Sequence, residues 1–269
     1  MKLWLNGALL NEEEARIAPS DRGFLLGDGL FETMAAEAGR VPELKRHYQR
    51  LCAGAALLRL PVTLSRDALA EAVSEVLRAN ALASAALRFT LTRGAGPRGL
   101  LPPADISPTL LLTAAPLPPP GGAVRLLTST IRRDEDSPLS AIKSLNYLPN
   151  VLARMEAAER GADDALLLNR AGRVAETSAA SLFVRLRGQW LTPPVADGAL
   201  PGIRRAMLLE AGKVCEARVT LTDLNDAEAL CIGNVLSLRP VTSLDGRAFP
   251  QVTKDELDDG DLSAEAKPR

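Results

Sequence analysis

The chain has 269 residues, 46% hydrophobic and 24% charged, enough for one large or two ordinary domains with a real core. Lys and Arg total 32 against 33 Asp and Glu; the net charge of -1 gives no field favouring nucleic acid or an anionic membrane, and 3% aromatics argue against a stacking platform for single strands. Three scattered cysteines, Cys52, Cys215 and Cys231, form no CxxC pair and no disulfide framework, which points to a reducing cytoplasm, and neither a signal peptide nor an apolar run of about 18 residues is present.

In chain order, residues 3–5 and 8–10 flank Asn6-Gly7, a hairpin signal between apolar runs. The stretch DRGFLLGDGLFET (21–33) follows, with Gly23, Gly27 and Gly29 punctuating a loop before a strand over 30–37 that carries Phe31 and Thr33 on one face. This loop is either a plain connector or a segment folded close to a ligand. Apolar residues at three- and four-residue intervals predict a helix over 43–60, where His47 and Arg50 share a face. They are a solvated pair, or Arg50 is an anion anchor. His47 is the only histidine, so multi-histidine metal sites are excluded, as is Ser-His-Asp chemistry not built on His47 itself. A second helix is predicted over 65–80 with Ser65 as N-cap, then a strand over 87–93 and the irregular loop RGAGPRGLLPP (93–103). Arg98 in that loop faces solvent or makes a rim contact to a carboxylate. After a strand over 109–114, four prolines and two glycines in 116–122 cannot continue any element and mark a linker. Domains of 1–115 and 123–269 follow, with loops from both halves expected to converge on a ligand.

The second half is predicted to hold strands over 124–131, 165–169 and 182–186, a helix over 150–159, and a last strand over 229–232 ending at a Gly233-Asn234 turn. Beyond about Gln251 the tail is polar and acidic, a composition that favours poor order. At the centre lies SAIKSLNYLPN (140–150). Lys143, set among Ala, Ile, Leu and Tyr ahead of a helix, is either an exposed lysine at a helix start or a partly desolvated amine able to form a Schiff base. Glu176, in a small, apolar context, is exposed or else buried with a partner. Gly202 opens a helix whose N-terminus suits a phosphate.

Five blocks occur in one order: DRGFLLGDGLFET, His47-x-x-Arg50, IKSLNYLPNVLA (142–153), Glu176-Thr-Ser, and LPGIRR (200–205). Together they resemble the class IV aminotransferase family, the fold-type IV pyridoxal-phosphate enzymes. The resemblance implies an α+β or α/β architecture of two domains, a small N-terminal α+β domain and a larger C-terminal one joined by the Pro/Gly linker. It implies pyridoxal 5'-phosphate as cofactor, bound covalently by Lys143, which would also move protons. Glu176 would pair with the ring nitrogen and Leu200 would pack on the ring. Arg50, with Gly202, Ile203, Arg204, Gly233 and Asn234, would face the phosphate. Arg204 stands where the family often has threonine, and Gly233-Asn234 where it has a Ser/Thr pair.

Within the family, Phe31, the RGAGPRG loop without an Arg-x-His pair, and the Asn-containing turn resemble aminodeoxychorismate lyase. That resemblance implies conversion of 4-amino-4-deoxychorismate to 4-aminobenzoate and pyruvate in the cytoplasm by a homodimer. Phe31, Arg93 and Arg98 would then meet the substrate, and Lys143 or Thr33 would protonate the leaving fragment. The alternative is a branched-chain or D-amino-acid aminotransferase.

Overall fold

The computed structural model describes residues 1–119, 121–250 and 256–257, so the expectation for the tail falls, Glu256 and Leu257 apart, outside the described residues. The chain forms two units, Met1–Pro118 with Ile142–Asn146, and Pro119–Ala141 with Tyr147–Arg269. The division falls inside the Pro/Gly run. The segment holding Lys143, assigned from sequence to the second domain, belongs to the first unit. The reason is a long-range pairing described below.

The first unit opens with β1 (Lys2–Leu5) and β2 (Ala8–Asn11), joined through Asn6 and Gly7, both at positive φ (50° and 95°) as a tight hairpin requires. A short helix α1 (Arg22–Leu26) follows, capped by Asp21, whose side chain accepts from the N–H groups of Gly23 and Phe24. Then come β3 (Gly29–Ala36), α2 (Leu44–Leu57), α3 (Arg66–Ala79, with Ser65 as N-cap), β4 (Ala85–Thr92) and β5 (Thr109–Pro116). The strands form an antiparallel sheet in the order β2-β1-β5-β4-β3. Alternation along β3 and β4 sends Leu30, Met34, Leu87, Phe89 and Leu91 to one face, where Leu51 and Ala55 of α2 and Leu69, Val73, Val76 and Leu77 of α3 close the core. The opposite face carries Phe31, Thr33, Arg88 and Thr90, with Thr33 opposite Arg88 and Phe31 opposite Thr90.

The second unit runs β6 (Val124–Arg133), α4 (Leu148–Glu159), β7 (Asp164–Asn169), β8 (Val174–Thr177), β9 (Ser181–Leu186), β10 (Gln189–Thr192), α5 (Ile203–Glu210), β11 (Cys215–Glu216), α6 (Leu221–Asn225), β12 (Ala229–Asn234), β13 (Ser237–Leu244) and β14 (Arg247–Ala248). These strands form a mixed sheet in the order β11-β10-β9-β12-β13-β6-β7-β8, with β14 on β13. Ala153 and Ala157 of α4 pack on Leu127, Ala165 and Leu167, where small residues let the helix approach the sheet closely. Two expectations are corrected. The strand at 229–232 is not the last, and Gly233-Asn234 is not a turn: both residues end β12, the turn is Val235-Leu236, and the chain returns as β13. Among the described residues no helix is long and apolar enough to cross a membrane.

Candidate functional site

In the first unit, Lys143 is brought to β3 by backbone pairing. Phe31 N–H donates to Lys143 O at 3.0 Å, Leu145 N–H donates to Gly29 O at 2.9 Å, and Asn146 Nδ2 donates to Gly27 O at 3.0 Å. Ile142 is buried in the core under the sheet, which anchors the segment on the other side. Lys143 itself is half-buried, and its Nζ lies 4.2 Å from the centroid of the Phe31 ring. A second cation meets the same ring: Arg88 Cζ is 3.8 Å from the centroid, and Arg88 is exposed. Arg88 escaped the sequence reading, although alternation along β4 puts it on the face of Phe31 and Thr33.

The opposite face of β3 carries Glu32, which the sequence reading also passed over. Its carboxylate accepts from Arg50 Nε (2.8 Å) and Nη2 (2.6 Å) and lies 2.6 Å from His47 Nδ1. Glu32 and His47 are buried, and Arg50 nearly so. Burial pushes the Glu32 carboxyl up, but the hydrogen bonds and charges of Arg50 and His47 outweigh it and hold the group below the usual carboxylate range. His47 and Arg50 are thus not a solvated pair. One fork of Arg50 is spent orienting it.

Arg93, expected from the resemblance to meet the substrate, is turned into a buried network. It is 5% exposed, and its donors go to Asp28 Oδ2 (2.8 Å), Arg59 O (3.1 Å) and Leu58 O (2.8 Å). Asp28 also accepts from Arg22 Nε at 2.9 Å, and Arg22 in turn donates to Gly99 O and Leu100 O, both at 2.8 Å. This buried network fixes the loop on which Arg98 stands exposed.

In the second unit, Glu176 lies on β8 opposite Leu167 of β7. It is buried and partnered: Oε1 is 3.1 Å from Arg133 Nη2, and Oε2 accepts from the Leu200 N–H at 3.0 Å. Arg133, the last residue of β6, is another residue the sequence reading missed. Gly202 is the N-cap of α5, and no side chain caps that helix. A Cβ at Gly202 would lie 2.8 Å from Ser181 Oγ, so a side chain there would have to displace the Ser181 hydroxyl. The first turn of α5 carries the N–H groups of Ile203 and Arg204. Arg204 Nε donates to Asn234 O at 2.7 Å, which ties α5 to the end of β12. The Asn234 side chain donates to Ala179 O and accepts from the N–H groups of Leu236 and Ser237. Both Arg204 Nε and the Asn234 amide hold backbone. Among the described residues no cluster of His, Cys, Asp and Glu is arranged to hold a metal ion.

The family model for amino-transferase class IV matches residues 29–244. A protein of Methanocaldococcus jannaschii named "Putative branched-chain-amino-acid aminotransferase" is 38% identical over 93% of this chain and 90% of its own length. A solved branched-chain amino acid aminotransferase of Escherichia coli superposes with a TM-score of 0.88 at 28% identity, covering 95% of this chain and 91% of that one. A solved "Putative 4-amino-4-deoxychorismate lyase" of Legionella pneumophila superposes with a TM-score of 0.86 at 32% identity, covering 91% and 94%.

Proposed function

The chain belongs to the class IV amino-transferase family, whose cofactor is pyridoxal 5'-phosphate, and from that premise we propose that it moves the amino group of a small carboxylate-bearing amino acid to a keto acid. The observation that carries the reading is the half-buried Lys143 amine, pinned by backbone bonds to β3 and set on the Phe31 ring.

The residues present fit the cofactor. Glu176, held by Arg133 and the Leu200 N–H, suits a protonated ring nitrogen, and the N-terminus of α5, which no side chain caps, suits a phosphate. When bound, the cofactor supplies an electron-withdrawing ring that acidifies the carbon bearing the substrate amine. Lys143 Nζ would hold the aldehyde and would carry the proton to and from that carbon. Thr33, on the face of β3 shared with Phe31, stands as a further proton donor. Arg133 sets a guanidinium beside Glu176. Leu200 would pack on the ring, and Gly202, Ile203 and Arg204 would offer backbone N–H groups to the phosphate; Gly233 and Asn234 end β12, to which Arg204 is tied, and Arg50 is a further candidate for the phosphate. Arg88 and the exposed Arg98 offer guanidinium groups to substrate carboxylates, Arg88 beside Lys143 on a shared ring.

Transfer is the first reading because 38% identity to a named aminotransferase spans nearly the whole chain. The lyase reading, release of pyruvate from 4-amino-4-deoxychorismate, keeps two supports: the RGAGPRG loop without an Arg-x-His pair, and 32% identity to a named lyase. The protein acts on small molecules as a cytoplasmic homodimer. The stripe Leu148, Val151, Leu152 and Met155, exposed along one side of α4, supports self-association.

One assay separates the readings. With cofactor-loaded protein, an amino donor bleaches the visible band and a keto acid restores it if transfer is right. Pyruvate released from aminodeoxychorismate without a keto acid favours the lyase. Borohydride reduction followed by peptide mapping places the cofactor on Lys143; a label elsewhere overturns both.

A further inference from the structure

We propose that Arg133 is a positioning residue for Glu176, holding its carboxylate in one orientation and as an anion, and tying it to the chain segments that lead to Lys143 and to the N-terminus of α5. This rests on the cofactor reading above. The observation is a convergence on one guanidinium. Arg133 Nη2 is 3.1 Å from Glu176 Oε1 and donates to Ser140 O at 3.2 Å, while Nε donates to Gly198 O at 3.1 Å. Ser140 is three residues before Lys143, and Gly198 is two residues before Leu200, whose own N–H holds the other Glu176 oxygen. Gly198 sits at φ +96°, and a Cβ there would come 3.3 Å from the Arg133 Cβ, so glycine lets this loop turn against the arginine.

Burial decides that this pair matters. Arg133 and Glu176 are 15% and 8% exposed, whereas the pair Arg125–Asp163 in the same unit is 58% and 37% exposed and contributes little. A buried carboxylate stripped of its cation is costly and escapes by taking a proton. A neutral Glu176 would no longer favour a protonated ring nitrogen. Its two oxygens, held from Arg133 on one side and Leu200 N–H on the other, leave one orientation.

The test uses full-length, cofactor-loaded protein and the variants Arg133→Met, Arg133→Lys, Glu176→Gln and the double Arg133→Met/Glu176→Gln. It reads the pH midpoint of the visible cofactor band, with Tm recorded alongside. Arg133→Met raises the midpoint by about one unit, because removing positive charge from the ring eases protonation elsewhere on the same chromophore. Glu176→Gln does the same, the double variant shifts no further than Glu176→Gln alone, and Arg133→Lys stays near the wild type. Arg133→Met with a lowered Tm and a wild-type midpoint overturns the inference. So does additivity in the double variant, or Arg133→Lys behaving like Arg133→Met. Should Arg133→Met fail to fold, the lysine variant and the double decide. A wild-type chain that takes up no cofactor sinks the cofactor reading itself, and the inference with it; normal uptake with unshifted variants sinks only the inference.

Discussion

Glu32 shows what a single inward-facing charge does in this fold. It stands between Leu30 and Met34 on the core side of β3, and only the pairing with Arg50 and His47 makes a carboxylate tolerable there. Glu32→Gln removes the charge and leaves Arg50 and His47 against a neutral group; the expected loss is about 3 kcal/mol in urea unfolding. The pH dependence follows from the sign of the shift. Because the folded carboxyl titrates below its ordinary range of about 4, the pairing contributes fully above that range and is lost as the pH falls through the folded value. The wild type therefore has a steep acid limb in stability that Glu32→Gln flattens, and equal limbs would refute the account. At this scale the sequence exposed half of each pair. His47-x-x-Arg50 and Glu176 stood out by spacing and context, but Glu32, Arg88 and Arg133 acquire meaning only from partners 15 to 57 residues away.

Amphipathic helices are local, and α2 and α3 were legible to within three residues at each end because their apolar spacing is set by one turn. Strands β8, β10 and β13 were not: each is either short or mixed in polarity, and its pairing partner supplies the order that the sequence lacks. The same limit hid the place of Lys143, whose segment looks like a lead-in to α4 yet bonds to the start of β3 more than a hundred residues earlier. Gly29 makes that junction. A Cβ on it would lie 2.5 Å from Leu91 O and 2.9 Å from Leu145 Cδ1, so alanine forces apart either β3 and β4 or β3 and the lysine segment. Gly29→Ala should cost about 2 kcal/mol and, with saturating cofactor, reduce the fraction labelled at Lys143 by borohydride. Full labelling at wild-type Tm would show that the junction has room to spare.

At the scale of the whole molecule, α4 is an element whose composition and surroundings disagree. Its buried side is alanine-rich, Ala153 and Ala157, while its large apolar residues Leu148, Val151, Leu152 and Met155 are 67%, 47%, 47% and 52% exposed. An isolated helix gains nothing from that inversion; a helix that meets a second copy of the chain gains the burial of a continuous stripe at i, i+3, i+4 and i+7. Leu152→Glu with Met155→Glu places two carboxylates in the stripe without touching the face against the sheet. In the homodimer proposed above this pair should convert the protein to monomer in sedimentation equilibrium at micromolar concentration, with far-ultraviolet circular dichroism unchanged. A variant that stays dimeric removes α4 from the interface. A wild type that sediments as a monomer removes the homodimer, and the stripe would then need another partner to account for it.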